Sequence, residues 1–238
     1  MAEKGLLYLI PSMLGADVPA AQAIPPYNIE VASSLSEFIV ENVRTARRFL
    51  LKCGITTPVE EIIFHPLNAH IPAEDINSYL DNAMNGKNIG LLSEAGCPGI
   101  ADPGATVVQL AHRRNIRVIP LAGPSSLFMA LMASGLNGQE FAFHGYLPKE
   151  KGERMNKLKQ MEASAKKEKT THIFIETPYR NDSLIKEILE VCRPETMLSL
   201  ASDISQNAEQ IHTDSIANWR TKKISRNNRP TVFLIGNR

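Results

Sequence analysis

A chain of 238 residues, 43% of them hydrophobic, is long enough for one large domain or two modest ones, each with its own core. Its longest unbroken apolar run, residues 127–133, is far too short to span a membrane, and residues 1–11 lack the apolar stretch and small-residue cleavage site of a signal peptide. A net charge of +1 selects no partner, and three widely spaced cysteines suggest neither a disulfide framework nor a zinc site, so a cytoplasmic protein with reduced thiols is expected.

The first half alternates strand and helix signals. GLLYLI (5–10) reads as a short buried strand. A strand near 37–41 follows, then a helix that stops at Gly54, then a strand over 61–64. Residues 72–86 read as one helix, with Pro72 at its start, Glu74 and Asp75 in the first turn and Gly86 at the C-terminal cap. Ile76, Tyr79, Leu80, Ala83 and Met84 follow the spacing of its buried stripe. NIGLLS (88–93) is the next strand. After it, Asp102 as N-cap and Pro103 in the first turn open a helix over 105–114. IRVIPLAG (116–123) is a strand entering a glycine corner, and SSLFMALMASGL (125–136) a well-marked helix. Such a strand–loop–helix rhythm argues for a parallel sheet covered by helices on both faces.

From about residue 123 the rhythm changes. FAFHGYLP, THIFIE, MLSLAS, EQIHT and TVFLIG are strand candidates, and the link between 196–201 and 208–213 is too short for a parallel crossover. The expectation is an α/β protein of two domains, residues 1–122 with a parallel sheet and 123–238 with a mixed one. Charge is uneven along this half: 149–169 holds eight basic residues against four glutamates, and 220–238 holds six and no acid. Such runs are solvated faces in most proteins and an electrostatic footprint for RNA in some.

SEAGCPGIADPG (93–104) is the unusual loop. It packs three glycines, two prolines and two carboxylates between a strand and a helix, with no basic residue. In open parallel sheets ligands bind beyond the carboxyl ends of strands, at such loops. Phosphate is disfavoured, because both charges are acidic and neither a Walker lysine nor a G-x-G-x-x-G is present. A ligand with an amine or a sulfonium suits Glu94 and Asp102 better, although Asp102 also reads simply as a helix cap.

The loop resembles the S-D-A-G-T-P-G-I-S-D-P-G stretch of the tetrapyrrole methylase superfamily, S-adenosylmethionine (SAM) methyltransferases of two α/β domains. The resemblance is nearest to the ribosomal RNA small subunit methyltransferase I branch, which methylates a cytidine ribose 2′-hydroxyl, and it runs in order along nearly the whole chain. FIVENVRTARRFL is similar to A-A-E-D-T-R-H-T-R-R-L-L, FHPLNAH to Y-H-E-H-N-E, and PLAGPSS to P-I-P-G-P-S-A. GYLPKEKGER and FIETPYR are similar to G-F-L-P-x-K-x-x-x-R and F-Y-E-S-P-H-R. By this pattern Pro11, Glu94, Ala95, Gly96 and Ile100 line the cofactor site, Ser125 and Ser126 continue it, and Ala201 joins from the second domain, with the cofactor in the cleft between the domains. A homodimer is implied in the same way.

The chain departs from the pattern at PSMLGAD (11–17), where the family has P-I-G-N-L-G-D, and at residues 42–46, where an acid, a hydroxyl and a histidine are missing. Both lie toward the substrate. A ribose hydroxyl must lose its proton to a group within hydrogen-bond reach, and Glu41 and Glu176, each at a strand's end, are the candidates. Arg44, Arg180, His65 and Asn68 are candidates for substrate contact; Arg47 and Arg48 read as a solvated helix face. The remaining histidines have no metal-ligand spacing. Three functions are open: methylation of RNA or the small ribosomal subunit, methylation of a small molecule such as a tetrapyrrole, and SAM binding without catalysis.

Overall fold

The computed structural model describes residues 3–15, 17–67 and 72–237. The chain divides into two compact units, Met1–Ser125 and Ser126–Arg238.

The first unit runs β1 (Leu6–Ile10), α1 (Ala20–Ala23), α2 (Pro26–Ser34), β2 (Glu37–Val40), α3 (Val43–Lys52), β3 (Ile63–Pro66), α4 (Ala73–Ser78), α5 (Asp81–Met84), β4 (Ile89–Leu92), α6 (Ala105–Arg113) and β5 (Arg117–Pro120). Its five strands are all parallel, in the order β3-β2-β4-β1-β5. The strand sequences are continuously apolar because helices cover both faces. Alternate residues feed two cores: Ile10, Phe38, Val40 and Leu92 pack with Val31, Phe49 and Leu50 from α2 and α3. Leu7, Ile39, Ile89 and Leu91 pack on the other face with Leu80, Ala83, Val107 and Leu110. Every residue of β2 and β4 is buried, whereas the edge strands β3 and β5 are not.

Two local expectations are corrected here. The helix over 72–86 is broken at Tyr79–Leu80 into α4 and α5, and Met84 is exposed while Tyr79, Leu80 and Ala83 are buried. The break lets the Tyr79 hydroxyl donate to the Pro66 carbonyl at 2.6 Å, a tertiary bond that outweighs one helical turn. Asp102 does not cap α6 directly. Gly104 is the N-cap, and the Asp102 carboxylate instead accepts the Gly104 N–H at 2.8 Å, closing the loop on itself two residues earlier.

The second unit runs α7 (Ser126–Ser134), β6 (Phe141–Tyr146), α8 (Lys151–Glu168), β7 (Thr171–Ile175), α9 (Asn181–Val191), β8 (Met197–Ser202), β9 (Gln210–Ser215), α10 (Ile216–Arg220) and β10 (Thr231–Gly236). Its sheet is mixed, in the order β6-β7-β10-β8-β9; β6 and β7 are parallel and the other pairs antiparallel. Phe174 and Phe233 stack at 5.5 Å in the core, beneath Leu158 and Met161 of α8 and Leu184 and Ile188 of α9. No helix among the described residues is long and apolar enough to cross a membrane.

The basic run 149–169 is largely the outer face of α8, with one exception. Arg154 is buried, forms a two-point ion pair with Glu187 at 2.6 and 2.7 Å, and donates to the Pro148 and Lys149 carbonyls. Each partner holds the other charged: the Glu187 carboxyl is held below, and the Arg154 guanidinium above, its ordinary pKa. Breaking a buried pair strands the remaining charge. Arg154→Ala is therefore expected to lose about 3–5 kcal/mol in urea unfolding, and an Arg154→Met, Glu187→Leu double variant to recover most of it.

Candidate active site

The strand order creates a crevice. From β2 the chain turns to β3 on one side, and from β4 it turns to β5 on the other, although β2 and β4 are neighbours. Connections that diverge from adjacent parallel strands leave an opening at their carboxyl ends, where ligands of such sheets sit. A cavity of about 340 Å³ lies there. Val40 and Glu41 line it from the end of β2, Leu92 to Ala95 from the end of β4, Ser12 to Gly15 from the end of β1, and Thr45, Arg48 and Phe49 from α3.

Glu41 is its chemical centre. Its carboxyl is pushed from the ordinary 4.5 up to about 7, first by burial, then by a hydrogen bond with the Asp102 carboxyl and by the negative charges of Asp102 and Glu94. The Glu94 backbone N–H acts the other way without cancelling these effects. Three carboxylates thus share one small region, and Glu41 holds its proton up to neutral pH.

The neighbours are placed by local rules. Asn42 is a good N-cap, and its side chain accepts the N–H groups of Arg44 and Thr45 at 2.9 and 3.4 Å. That fixes the first turn of α3, so that the Thr45 hydroxyl donates to Glu94 Oε1 across the cavity wall. The loop after β4 is bolted to the loop after β1: Ser12 and Gly96 exchange backbone hydrogen bonds at 2.9 and 3.1 Å. The Ser93 hydroxyl donates to the Gly96 carbonyl at 2.7 Å, and the Ser12 hydroxyl to the Ser93 carbonyl at 2.8 Å. Gly96 adopts φ +74°, and a Cβ there would stand 3.2 Å from Leu14. Pro11 is held where a Cβ on Gly123 would stand 2.4 Å from its ring, so the loops after β1 and β5 touch only because Gly123 has no side chain.

Of the residues named from sequence, Glu41, Glu94 and Ala95 line the cavity. Gly96 and buried Pro11 form its supporting loops, and Ile100 is exposed on the same loop as Glu94. Ser125 ends the first unit and Ser126 opens α7. Arg44 is exposed on the first turn of α3 and is not among the lining residues, whereas Arg48, exposed as expected of a solvated helix face, also lines the cavity. His65 lies within β3 rather than after it. Its ring binds Glu37 at 2.7 Å and packs on Tyr79, and Asn82 donates to the other Glu37 oxygen at 2.9 Å. Asn68 lies outside the described residues.

In the second unit, Glu176 is buried at the end of β7, where its carboxylate accepts the Thr177 N–H at 2.8 Å and hydroxyl at 3.1 Å and pairs with Arg180 at 3.4 Å. Ala201 is fully buried in β8, paired with both β9 and β10. Sequence reasoning missed Thr45 and Ser12, although the Asn42 cap, which sets the helical phase of residues 43–46, was a usable signal for Thr45. The cysteines offer no competing nucleophile, since burial holds the thiols of Cys53, Cys97 and Cys192 above their ordinary pKa.

Residues 32–219 match the family model of the Tetrapyrrole (Corrin/Porphyrin) Methylases. The "Ribosomal RNA small subunit methyltransferase I" of Buchnera aphidicola subsp. Schizaphis graminum is 30% identical over 236 residues, 98% of this chain and 78% of that protein. The protein of the same name from Vibrio cholerae is 28% identical over 233 residues, 97% of this chain and 76% of its own length. Among solved structures, the methyltransferase CobJ aligns with a TM-score of 0.65 at 15% identity, over 98% of this chain and 94% of that one. A uroporphyrin-III C-methyl transferase from Thermus thermophilus, complexed with S-adenyl homocysteine, aligns with a TM-score of 0.55 at 16% identity, over 98% and 97%. At such identities the structural likeness is one of fold.

The carboxylate cluster is directly measurable. Carbon-13 NMR of the Glu41 carboxyl is expected to titrate near 7, and Asp102→Asn to move that titration downward. Because the folded state binds this proton more tightly than the unfolded chain, whose glutamates titrate near 4.5, wild-type stability falls as pH rises between those values. Glu41→Gln is expected to abolish that component, so that the variant gains on wild type at pH 8 and not below pH 4.5.

Proposed function

The chain belongs to the tetrapyrrole methylase family and is a SAM-dependent methyltransferase, and we propose that its acceptor is the 2′-hydroxyl of a ribose in small-subunit ribosomal RNA. The name carried by its relatives supports the acceptor. The observation that carries the chemistry is Glu41, a carboxyl pushed up to about 7 that lines a cavity which the strand order places beyond β2 and β4.

The residues fit the cofactor. SAM bears an amine and a sulfonium, and the 93–104 loop that would hold it carries two carboxylates, Glu94 and Asp102, and no cation. Gly96, with φ +74°, gives close backbone approach where a side chain would meet Leu14. In this reading Pro11, Glu94, Ala95, Gly96 and Ile100 hold the cofactor. When bound, SAM supplies a methyl group already activated by its sulfonium.

The protein's own tasks are then alignment and proton removal. Glu41 in its ionised form accepts the proton of the acceptor hydroxyl as the oxygen attacks. A base with a pKa near the working pH is present in its ionised form at neutrality and is still basic enough to take the proton. Asp102 and Glu94 tune Glu41 upward, and Thr45 holds Glu94 in place. Glu176 serves by holding Arg180, whose guanidinium is available to a phosphate. We also infer a cytoplasmic homodimer. The exposed Phe128, Met132 and Phe141 on α7 and β6, from which apolar area would be removed on pairing, support it.

Three measurements test this. Labelled methyl is expected to pass from SAM to small ribosomal subunits that lack the modification, and no transfer to any such subunit would sink the acceptor. The rate should rise with pH as Glu41 ionises near 7, and Glu41→Gln should lower kcat roughly hundred- to ten-thousandfold while SAM binding is kept. Calorimetry should show SAM binding lost in Gly96→Val and weakened in Glu94→Ala. Binding unchanged in Gly96→Val would move the cofactor elsewhere.

A further inference from the structure

The second unit presents a feature outside this machinery. The turn after β7, residues 177–181, and the loop before β10, residues 225–229, are locked together. Asn181 is fully buried, and its side-chain amide donates to the carbonyls of Arg226 and Arg229 at 3.1 and 2.7 Å. The Asn228 N–H donates to the Pro178 carbonyl at 3.0 Å. Asp182 accepts the Ser225 hydroxyl at 2.7 Å and the Arg226 N–H at 2.6 Å. Five hydrogen bonds therefore fix the loop's backbone before any ligand arrives.

This assembly carries three side chains of interest, Tyr179, Arg180 and Arg226. Tyr179 stands 68% exposed at the apex of its turn. Beside it in sequence Arg180 is only 27% exposed and meets Glu176 at a loose 3.4 Å. Arg226 is the more telling group. Its Nε is buried and lacks a hydrogen-bond partner, its Nη1 reaches only the carbonyl of Ser225, and no ion pair joins it to a carboxylate of the described residues. Its neighbour Arg229 is, by contrast, fully engaged by Asp203, Gln210 and the Ala208 carbonyl. Burial and the charge of Arg229 disfavour the Arg226 cation and the nearby charges of Asp182 and Asp203 favour it, but neither carboxylate forms an ion pair with its guanidinium. A half-buried guanidinium kept in a rigid loop without a carboxylate in ion-pair contact is arranged for an anion from outside.

We propose that Tyr179 and Arg226, with Arg180, form a contact site for single-stranded RNA, in which an unpaired base stacks on the Tyr179 ring and a neighbouring phosphate is taken by Arg226. The site rests on the reading of RNA as the acceptor and deepens it by naming which surface grips the strand and in what form. Unpaired bases stack on exposed aromatic rings and their phosphates pair with arginine, whereas a duplex hides its base faces. In this chain a tyrosine stands where the family pattern has histidine, which enlarges the stacking face.

The test uses the full-length protein and a short fluorescein-labelled single-stranded RNA of mixed sequence, followed by fluorescence anisotropy over a salt series. Tyr179→Ala is expected to weaken binding roughly 5- to 100-fold and Tyr179→Phe to restore it, because stacking needs the ring and not the hydroxyl. Arg226→Gln should weaken binding and reduce the slope of log affinity against log salt by about 0.7, one phosphate's share for a single strand. Arg226→Lys should keep that slope. The same sequence as a duplex should bind more weakly. Calorimetric SAM binding, unchanged in every variant, confirms that they are folded. Wild-type affinity retained in both Tyr179→Ala and Arg226→Gln overturns this site alone. A wild-type protein that binds neither single strand nor duplex overturns the RNA reading and the site together.

Discussion

The crowding of Glu41, Glu94 and Asp102 at the carboxyl ends of β2 and β4 is the constraint on which the first unit depends. Like charges in a half-buried space repel, and the sheet does nothing intrinsically to relieve them. Relief comes from the surroundings: a retained proton on Glu41, the Thr45 hydroxyl on Glu94, and the Gly104 N–H on Asp102. Each donor is delivered by a different piece of local chemistry, namely a capped helix start for Thr45 and a self-closed loop for Gly104. In the proposed mechanism the same crowding becomes useful, since burial together with the neighbouring carboxylates raises the basicity of Glu41, and their negative charge attracts a positively charged cofactor.

The scaffold makes that crowding tolerable by being rigid where the carboxylates are. β2 and β4 are buried on both faces, and the Ser12–Gly96 bridge joins the loops that follow β1 and β4. Two glycines permit this closeness, Gly96 by its backbone conformation and Gly123 by leaving room for Pro11. The second unit solves its charge problems differently. Arg154 and Glu187 neutralise each other inside the core, and Arg229 is neutralised by Asp203, while half-buried Arg226 has no ion-pair partner among the described residues. In the proposed RNA site, that contrast distinguishes the structural arginines from the one that meets the phosphate.

Much of the fold was legible in the sequence because its signals are local. Apolar runs such as NIGLLS and MLSLAS mark buried strands, and the short link from β8 to β9 excludes a parallel crossover. The family motifs, above all SEAGCPGIADPG and FIETPYR, identified the superfamily. Where local signals competed with tertiary ones they misled. Residues 72–86 have a helix's periodicity, yet the Tyr79 hydroxyl is drawn to Pro66 and the helix breaks. Asp102 and Pro103 look like a helix start, yet the carboxylate is used two residues early to close its own loop.

For the candidate site the division is sharper. Sequence alone determined that two acids and three glycines share a loop at a strand's end, and that Glu41 ends another strand, because such positions follow from periodicity and composition. Only the tertiary structure decided that β2 and β4 are neighbours, and hence that Glu41 meets Glu94 and Asp102, residues more than fifty positions away. A carboxyl's pKa depends on burial and on charges within a few ångströms, and neither distance is written in the order of residues. The same holds for Arg226, whose lack of a direct ion pair becomes visible only when Asp182 is seen to accept the Ser225 hydroxyl and the Arg226 backbone N–H, and Asp203 to pair with Arg229.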